Sequence, residues 1–209
     1  MLPDDGFLRE VPGVIHVGAN SGQERDKYAA SGLNVIWIEP IPSVFEALQG
    51  NIAAYPKQRA FRSLLAAEHG AEYDFHISSN AGASSSIFQF AGHKDIWPGI
   101  DYVEDIRIAA TTLTRLLETE KIDLNEYGAL VLDTQGSELL VLKGAIDVLN
   151  QFRFVKAEAA DFEMYAGSCQ LEDLAEFMRR QGFTLRRKTP FARREAGGTY
   201  YDVVFARVR

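Results

Sequence analysis

The stretch Gly13-Val14-Ile15-His16-Val17-Gly18-Ala19-Asn20-Ser21-Gly22 decides the fold. A short apolar run ends in two glycines that bracket an asparagine, and an apolar helical pattern follows from Gln23 to Ser31. Strand, tight turn and helix in that order open a nucleotide-binding α/β domain. Gly18 and Gly22 let the backbone turn and approach a ligand with no Cβ in the way. Asn20 stands where many such loops carry a further glycine, and asparagine tolerates a positive φ. The helix after the loop aims free backbone N–H groups at the site. Working outward, the next apolar run, Asn34 to Ile38, is a second strand with Glu39 at its end. A carboxylate about 20 residues after a glycine turn is the arrangement that holds a ribose diol. Glycines that serve only the turn of a plain βαβ unit are the alternative, and the loop and the acid together weigh against it.

The 209 residues suit one sizeable domain, and 46% hydrophobic with 24% charged residues is the balance of a soluble globular protein. A net charge of -7 argues against non-specific nucleic-acid binding. The single cysteine, Cys169, excludes an intrachain disulfide. The four histidines are too dispersed to suggest a metal. No run reaches membrane-spanning length, and the acidic start is unlike a signal peptide, so a cytoplasmic protein without integral membrane association is expected.

Taken in order, Met1 to Val11 reads as a lead-in, a short helix or a strap. Helix one covers Gln23 to Ala30, and Gly32 ends it. Ser43, with Glu46 three residues on, is a candidate cap for a helix through Val44, Phe45, Leu48 and Ile52. Phe61 to Ala67 reads as strand three, hairpinned to Ala71–Ser78, where Tyr73, Phe75 and Ile77 alternate with polar residues. Ile87 to Ile100 is irregular and is the candidate lid or substrate loop. Val103 to Ala109 is a strand, and Thr111 to Glu120 a helix with Leu113, Leu116 and Leu117 inward. Ala129 to Leu132 is a buried central strand ending at Asp133, followed by helical Leu139, Leu140, Leu142 and Ile146. Phe152 to Ala157 is a strand ending at Glu158, and Leu171 to Gln181 a helix. Phe183–Arg187 and Tyr200–Val208 form an antiparallel edge, with Arg186, Arg187, Lys188, Arg193 and Arg194 between them.

In an open parallel sheet, ligands bind outside the carboxyl ends of the strands. The chain places Gly18 and Asn20, then Glu39, Asp133 and Glu158 at such ends. Asp133 has an alternative role as a cap on the following helix. Even so, Asp133-Thr134-Gln135-Gly136-Ser137-Glu138 sets two carboxylates and an amide at one crowded mouth. Such acidity suits the sulfonium and amine of S-adenosylmethionine better than the pyrophosphate of a dinucleotide. Transfer to a hydroxyl needs a base, for which Asp133, Glu158 and His93 are candidates.

A resemblance now becomes specific. The chain resembles the FkbM-type S-adenosylmethionine-dependent methyltransferases in His16-Val17-Gly18-Ala19-Asn20-Ser21-Gly22-Gln23-Glu24, Ile38-Glu39-Pro40-Ile41-Pro42, Ser84-Ser85-Ser86 and Thr112-Leu113. The match continues through Leu132-Asp133-Thr134-Gln135-Gly136-Ser137-Glu138-Leu139, Val141-Leu142-Lys143-Gly144-Ala145, Glu158, Tyr165 and Gly182-Phe183. The resemblance implies a single Rossmann-like class I methyltransferase domain over 1–209, α/β, with a mostly parallel central sheet, helices on both faces and an antiparallel C-terminal edge. The lid would be 84–100. It also implies S-adenosylmethionine as cofactor and O-methylation of a sugar, glycan or natural product. Gly18, Asn20 and Gly22 would line the donor's methionine half, Glu39 its ribose and Ala66 its adenine, with Asp133 and Gln135 beside the reactive methyl. His16 departs from a frequent Asp and would bond the donor carboxylate or brace the loop. Thr114 departs from another frequent Asp and is read as helix capping. Trp97 would stack on a sugar ring or anchor the lid. A dinucleotide-dependent oxidoreductase and a non-catalytic nucleotide-binding module are the rival expectations.

Overall fold

The computed structural model describes residues 3–208. A 3₁₀ run, Pro3–Glu10, leads into β1 (Gly13–Val17), α1 (Arg25–Ala30), β2 (Asn34–Glu39), α2 (Pro42–Ile52) and β3 (Gln58–Arg62). Next come β4 (Leu64–Leu65), β5 (Glu72–Ser78), α3 (His93–Ile96), β6 (Tyr102–Thr111) and α4 (Leu113–Thr119). The chain closes with β7 (Ala129–Leu132), α5 (Glu138–Lys143), β8 (Phe154–Ala160), α6 (Leu171–Arg180), β9 (Phe183–Arg193) and β10 (Thr199–Arg207).

Among the described residues, one seven-stranded sheet has the order β3-β2-β1-β7-β8-β10-β9. The strands from β3 to β8 run parallel, and β10 lies antiparallel between β8 and β9. The mostly parallel sheet with an antiparallel C-terminal edge is therefore as expected. Its inner strands read as continuous apolar runs because helices cover both faces. The two-residue period of β1 sends Ile15 and Val17 to one face and Val14 and His16 to the other. The first face packs on Leu113 and Leu117 of α4, Val141 and Leu142 of α5, and Leu174 and Met178 of α6. The second packs on Tyr28, Leu48, Ile52, Phe7 and Leu8. Each such side chain, fully buried, contributes about 1.5–3 kcal/mol. Strand order reverses between β1 and β7, so a crevice opens above their carboxyl ends.

Several local expectations change. Phe61–Ala67 does not hairpin with Ala71–Ser78: β3 stops at Arg62, and Leu64–Leu65 pairs in parallel with Ala110–Thr111. β5 instead pairs antiparallel with β6, forming a second sheet of order β4-β6-β5. There Tyr73, Phe75 and Ile77 meet Ile106 and Ile108, the apolar complement that strand three lacks. Glu158 does not end its strand, because β10 continues to pair with β8 as far as Ala160. Ser43 does not cap α2. Ile41 takes that position with Pro42 at the first turn, where a missing N–H costs nothing. Ile146 is 49% exposed, because α5 ends at Lys143 and Gly144 packs against the Ala66 carbonyl. Arg186, Arg187 and Lys188 lie on β9 itself, the edge of the sheet, rather than between two strands.

The lead-in is held on the α1 face. Phe7 and Leu8 are buried, and the buried Asp5 pairs with Lys27 and, at 3.7 Å, Lys156. Met1 and Leu2 lie outside the described residues. The segment 84–100 is built in firmly. Ser84 and Ser85 are tied to Ser78 by hydrogen bonds of 3.0 Å, and Phe88, Phe90 and Trp97 pack with Met164 and Tyr165.

Candidate active site

Above β1, β2 and β7 lies an open cleft of about 830 Å³, lined by His16, Gly18, Asn20, Glu39, Asp133 and Gln135. Leu64, Leu65 and Phe75 form its apolar far wall. Gly22 and Ala66 do not line it. Gly22 backs onto Leu48 of α2, and the buried Ala66 turns its carbonyl to Gly144.

The turn after β1 is fixed by backbone. The Gly18 and Ala19 N–H groups both donate to the Ile38 carbonyl, at 3.0 and 3.1 Å. Gly18 has φ +78°, and a Cβ there would sit 1.8 Å from the Asp133 carbonyl oxygen. Only glycine lets the two strand ends approach so closely. Asn20, at φ 43°, donates its N–H to Glu39 Oε2 at 2.9 Å, and Ile41 N–H donates to Oε1 at 2.9 Å. Each Glu39 oxygen has a second lone pair left over, and the residue lines the cleft. Burial pushes the Glu39 carboxyl up to about 7 against those two hydrogen bonds. His16 stacks on Trp37 with ring centroids 5.1 Å apart and lies 3.2 Å from the Tyr28 hydroxyl through Nδ1. Burial holds it down to about 4, so it is neutral at pH 7.

The other half of the mouth is a side-chain network. Gln135, at φ 52°, donates from Nε2 to Asp133 Oδ1 at 2.5 Å and to Glu158 Oε2 at 3.3 Å. Its Oε1 accepts from the Tyr165 hydroxyl at 2.5 Å, and its backbone carbonyl from the Ser86 hydroxyl at 2.7 Å. Glu158 also accepts from the Tyr200 hydroxyl at 2.8 Å. Burial raises Asp133 to about 6, against the lowering pull of the Gln135 bond. Burial and then the Asp133 charge hold Glu158 well above the carboxylate range. Asp133 is not a helix cap. Glu138 takes the Thr134 and Gly136 N–H groups at 2.9 and 3.1 Å, and burial pushes it to about 7.

The structure thus joins Asp133, Gln135 and Glu158, with Glu158 reaching the cleft only through Gln135. His93 is not brought there. It is fully buried against Phe90, 3.1 Å from Ser84 Oγ through Nε2, with Nδ1 unpartnered among the described residues. Burial holds it down to about 4. Thr114 does not cap α4, since the Thr112 side chain accepts the Arg115 N–H, while Thr114 Oγ1 donates to the Gly144 carbonyl. Sequence reasoning placed Glu138 at the mouth as a second carboxylate without its backbone partners, and gave no role to Tyr200. The spacing Asp133 to Glu138 carried a signal for the first. The second depends on the β8–β10 register, which pairs Tyr200 with Ala160.

A nucleoside carrying a sulfonium and an amino acid fits these residues. Glu39 offers two free lone pairs, and Thr134 Oγ1 is a buried hydroxyl on the cleft wall without a partner among the described residues. Fold and site together define a class I S-adenosylmethionine-dependent methyltransferase. A family model described as the methyltransferase FkbM domain matches residues 16–185. The chain belongs to that FkbM methyltransferase family, and its cofactor is S-adenosylmethionine. It is 23% identical over 177 residues to the 2-O-methyltransferase NoeI of Sinorhizobium fredii (strain NBRC 101917 / NGR234), covering 80% of this chain and 71% of the relative. Among solved structures it resembles 1,6-didemethyltoxoflavin-N1-methyltransferase of Burkholderia thailandensis. The TM-score is 0.52 at 12% identity, covering 100% of this chain and 78% of the other. Magnesium protoporphyrin IX methyltransferase of Synechocystis PCC 6803 gives TM-score 0.52 at 10% identity, covering 98% and 77%. Nothing in the fold or the family match favours a dinucleotide oxidoreductase or a non-catalytic module.

Proposed function

We propose that the chain methylates a hydroxyl of a small-molecule sugar, glycan or natural-product acceptor. S-adenosylmethionine, when bound, supplies an electrophilic methyl on a sulfonium sulfur. A hydroxyl acceptor must lose a proton as its oxygen takes that methyl. The observation that carries the reading is Asp133, a half-buried carboxylate on the cleft wall, fixed by Gln135 at 2.5 Å. With its pKa near 6 it is charged at pH 7 and close enough to neutrality to take a proton. Positioning does most of the remaining work. Glu39 holds the ribose, the Gly18–Asn20 turn the methionine half, and Leu64, Leu65 and Phe75 the adenine. The name of the relative, a 2-O-methyltransferase, supports oxygen as the acceptor atom. Segment 84–100, which reaches the cleft through Ser85, would cover the acceptor side. The test is tritiated S-adenosylmethionine with a panel of glycosides, oligosaccharides, polyphenols and amines. The expected product is an alkali-stable methyl ether, and label recovered only on nitrogen would overturn the assignment.

A further inference from the structure

The candidate base is held by a residue that never reaches the cleft. Tyr165 lies in the loop between β8 and α6 and is fully buried. It faces the segment between β5 and β6: Phe90 pairs with it as an isolated antiparallel bridge, and the Phe90 and His93 rings lie 5.9 and 5.5 Å from its ring. On the other side its hydroxyl donates to Gln135 Oε1 at 2.5 Å. An amide whose oxygen is so engaged has one orientation left, with Nε2 toward Asp133 and Glu158. Gln135 is also a non-glycine residue at φ 52°, a conformation that needs support. The Ser86 hydroxyl supplies it from the same segment, donating to the Gln135 carbonyl at 2.7 Å.

We propose that Tyr165 is a positioning residue: its hydroxyl locks the Gln135 amide toward Asp133 while that of Ser86 holds the Gln135 backbone, so that the 86–93 segment sets the geometry of the carboxylate. The inference rests on the reading of Asp133 as the proton acceptor, and deepens it. Movement of the segment, as on acceptor entry, would then reach the carboxylate through one side chain. Among the described residues, the charged or titratable carboxylate and amine groups that act electrostatically on Asp133 are Glu24 before α1, Glu39 on β2, Glu138 on α5, Lys156 and Glu158 on β8, and Asp202 on β10. Tyr28 on α1 and Tyr200 on β10, with Tyr165 itself, are the phenols within its field. None of these groups is altered by removing the Tyr165 hydroxyl, apart from that phenol.

The test is Tyr165→Phe, which keeps the ring and its packing. Carbon-13 carboxyl NMR follows the Asp133 titration, the signal being assigned by its loss in Asp133→Asn. With the Gln135 amide free to rotate, the hydrogen bond that favours the charged carboxylate weakens. The Asp133 midpoint should then rise by about one pH unit, a tenfold change in proton affinity. Affinity for S-adenosylhomocysteine, read by calorimetry, should stay within about twofold, since Glu39 and the glycine turn are untouched. Ser86→Ala should move the midpoint in the same direction by less, and it tests the lock should Tyr165→Phe fail to fold. An unmoved midpoint in a folded Tyr165→Phe or Ser86→Ala protein would overturn the proposal. Absence of S-adenosylhomocysteine binding in the unaltered protein would instead sink the reading of the cleft, leaving the titration result to stand alone.

Discussion

The two halves of the cleft are built by different means. The half above β1 and β2 is backbone geometry around one carboxylate: Glu39 accepts two N–H groups, from Asn20 and Ile41, separated from it by 19 and 2 residues. The half above β7 and β8 is mainly side chain against side chain: Gln135 to Glu158, Tyr165 to Gln135 and Tyr200 to Glu158, over separations of 23, 30 and 42 residues, with the Ser86 hydroxyl on the Gln135 backbone carbonyl from 49 residues away. A backbone cradle recognises a constant ligand and is set locally by turn chemistry. A side-chain network across distant segments can vary its ligand while the sheet stays unchanged. The donor is S-adenosylmethionine, as for the family to which the chain belongs.

Four changes would break or sharpen that contrast. The largest effect is expected from Asp133→Asn, which keeps size and removes charge. Turnover should fall by roughly 10²–10⁴-fold, the range of general base catalysis, with S-adenosylhomocysteine affinity changed far less. Near-normal methyl transfer would remove Asp133 from catalysis, and a loss confined to binding would make it a donor contact. Next, Glu39→Ala should weaken S-adenosylhomocysteine by about 10- to 100-fold, the range of one charge-assisted hydrogen bond. Because the carboxylate also ties Asn20 and Ile41, Glu39→Gln, which keeps one acceptor oxygen, should lose less. Equal affinities in calorimetry for wild type and both variants would take Glu39 out of the donor site.

The third change concerns pH and separates stability from catalysis. Glu39 and Glu138 are raised to about 7 and Asp133 to about 6, above the roughly 4 of an unfolded carboxyl. Between pH 4 and 7 these three carboxyls hold more protons folded than unfolded, so the stability they contribute falls as pH rises through that window, while His16 and His93, held down to about 4, pull the other way between pH 4 and 6.5 as two groups against three. Melting temperature of the ligand-free protein should drop from pH 5 to pH 7.5. Glu138→Gln keeps an acceptor for the Thr134 and Gly136 N–H groups without the buried charge, so its slope should be shallower. An identical slope would mean that Glu138 is not a source of the effect. Turnover should move the other way, rising with pH through about 6 as Asp133 ionises. The smallest effect is hydrogen exchange in 84–100. Amides there should slow when donor and acceptor bind together, while those of β1 and β7 stay as they were. Equal exchange with and without ligands would remove the lid role.

The fold was legible where strands are buried on both faces. Val14–Val17, Asn34–Ile38 and Ala129–Leu132 announce themselves as apolar runs, and the residues at their ends follow directly. What failed was pairing between alternating strands. Tyr73, Phe75 and Ile77 fit any apolar partner, and nothing local distinguishes Phe61–Ala67 from Tyr102–Thr111. The site divided in the same way. Gly18, Asn20, Glu39 and Asp133 line the cleft from positions visible in the sequence. Ala66 was placed by analogy along a strand that in fact ends early, and the cleft wall there is Leu64–Leu65. Tyr200 was invisible because its place depends on the register of a strand 42 residues away.

The edges of the main sheet have a consequence for the molecule in company. An edge strand offers unpaired N–H and C=O groups to any neighbouring chain. Here β3 reads Gln58-Arg59-Ala60-Phe61-Arg62, and β9 carries Arg186, Arg187 and Lys188 followed by Pro190. Both edge strands carry exposed basic residues, and Pro190 has no N–H to give. Charged or proline-bearing edges of this kind disfavour the addition of a further strand.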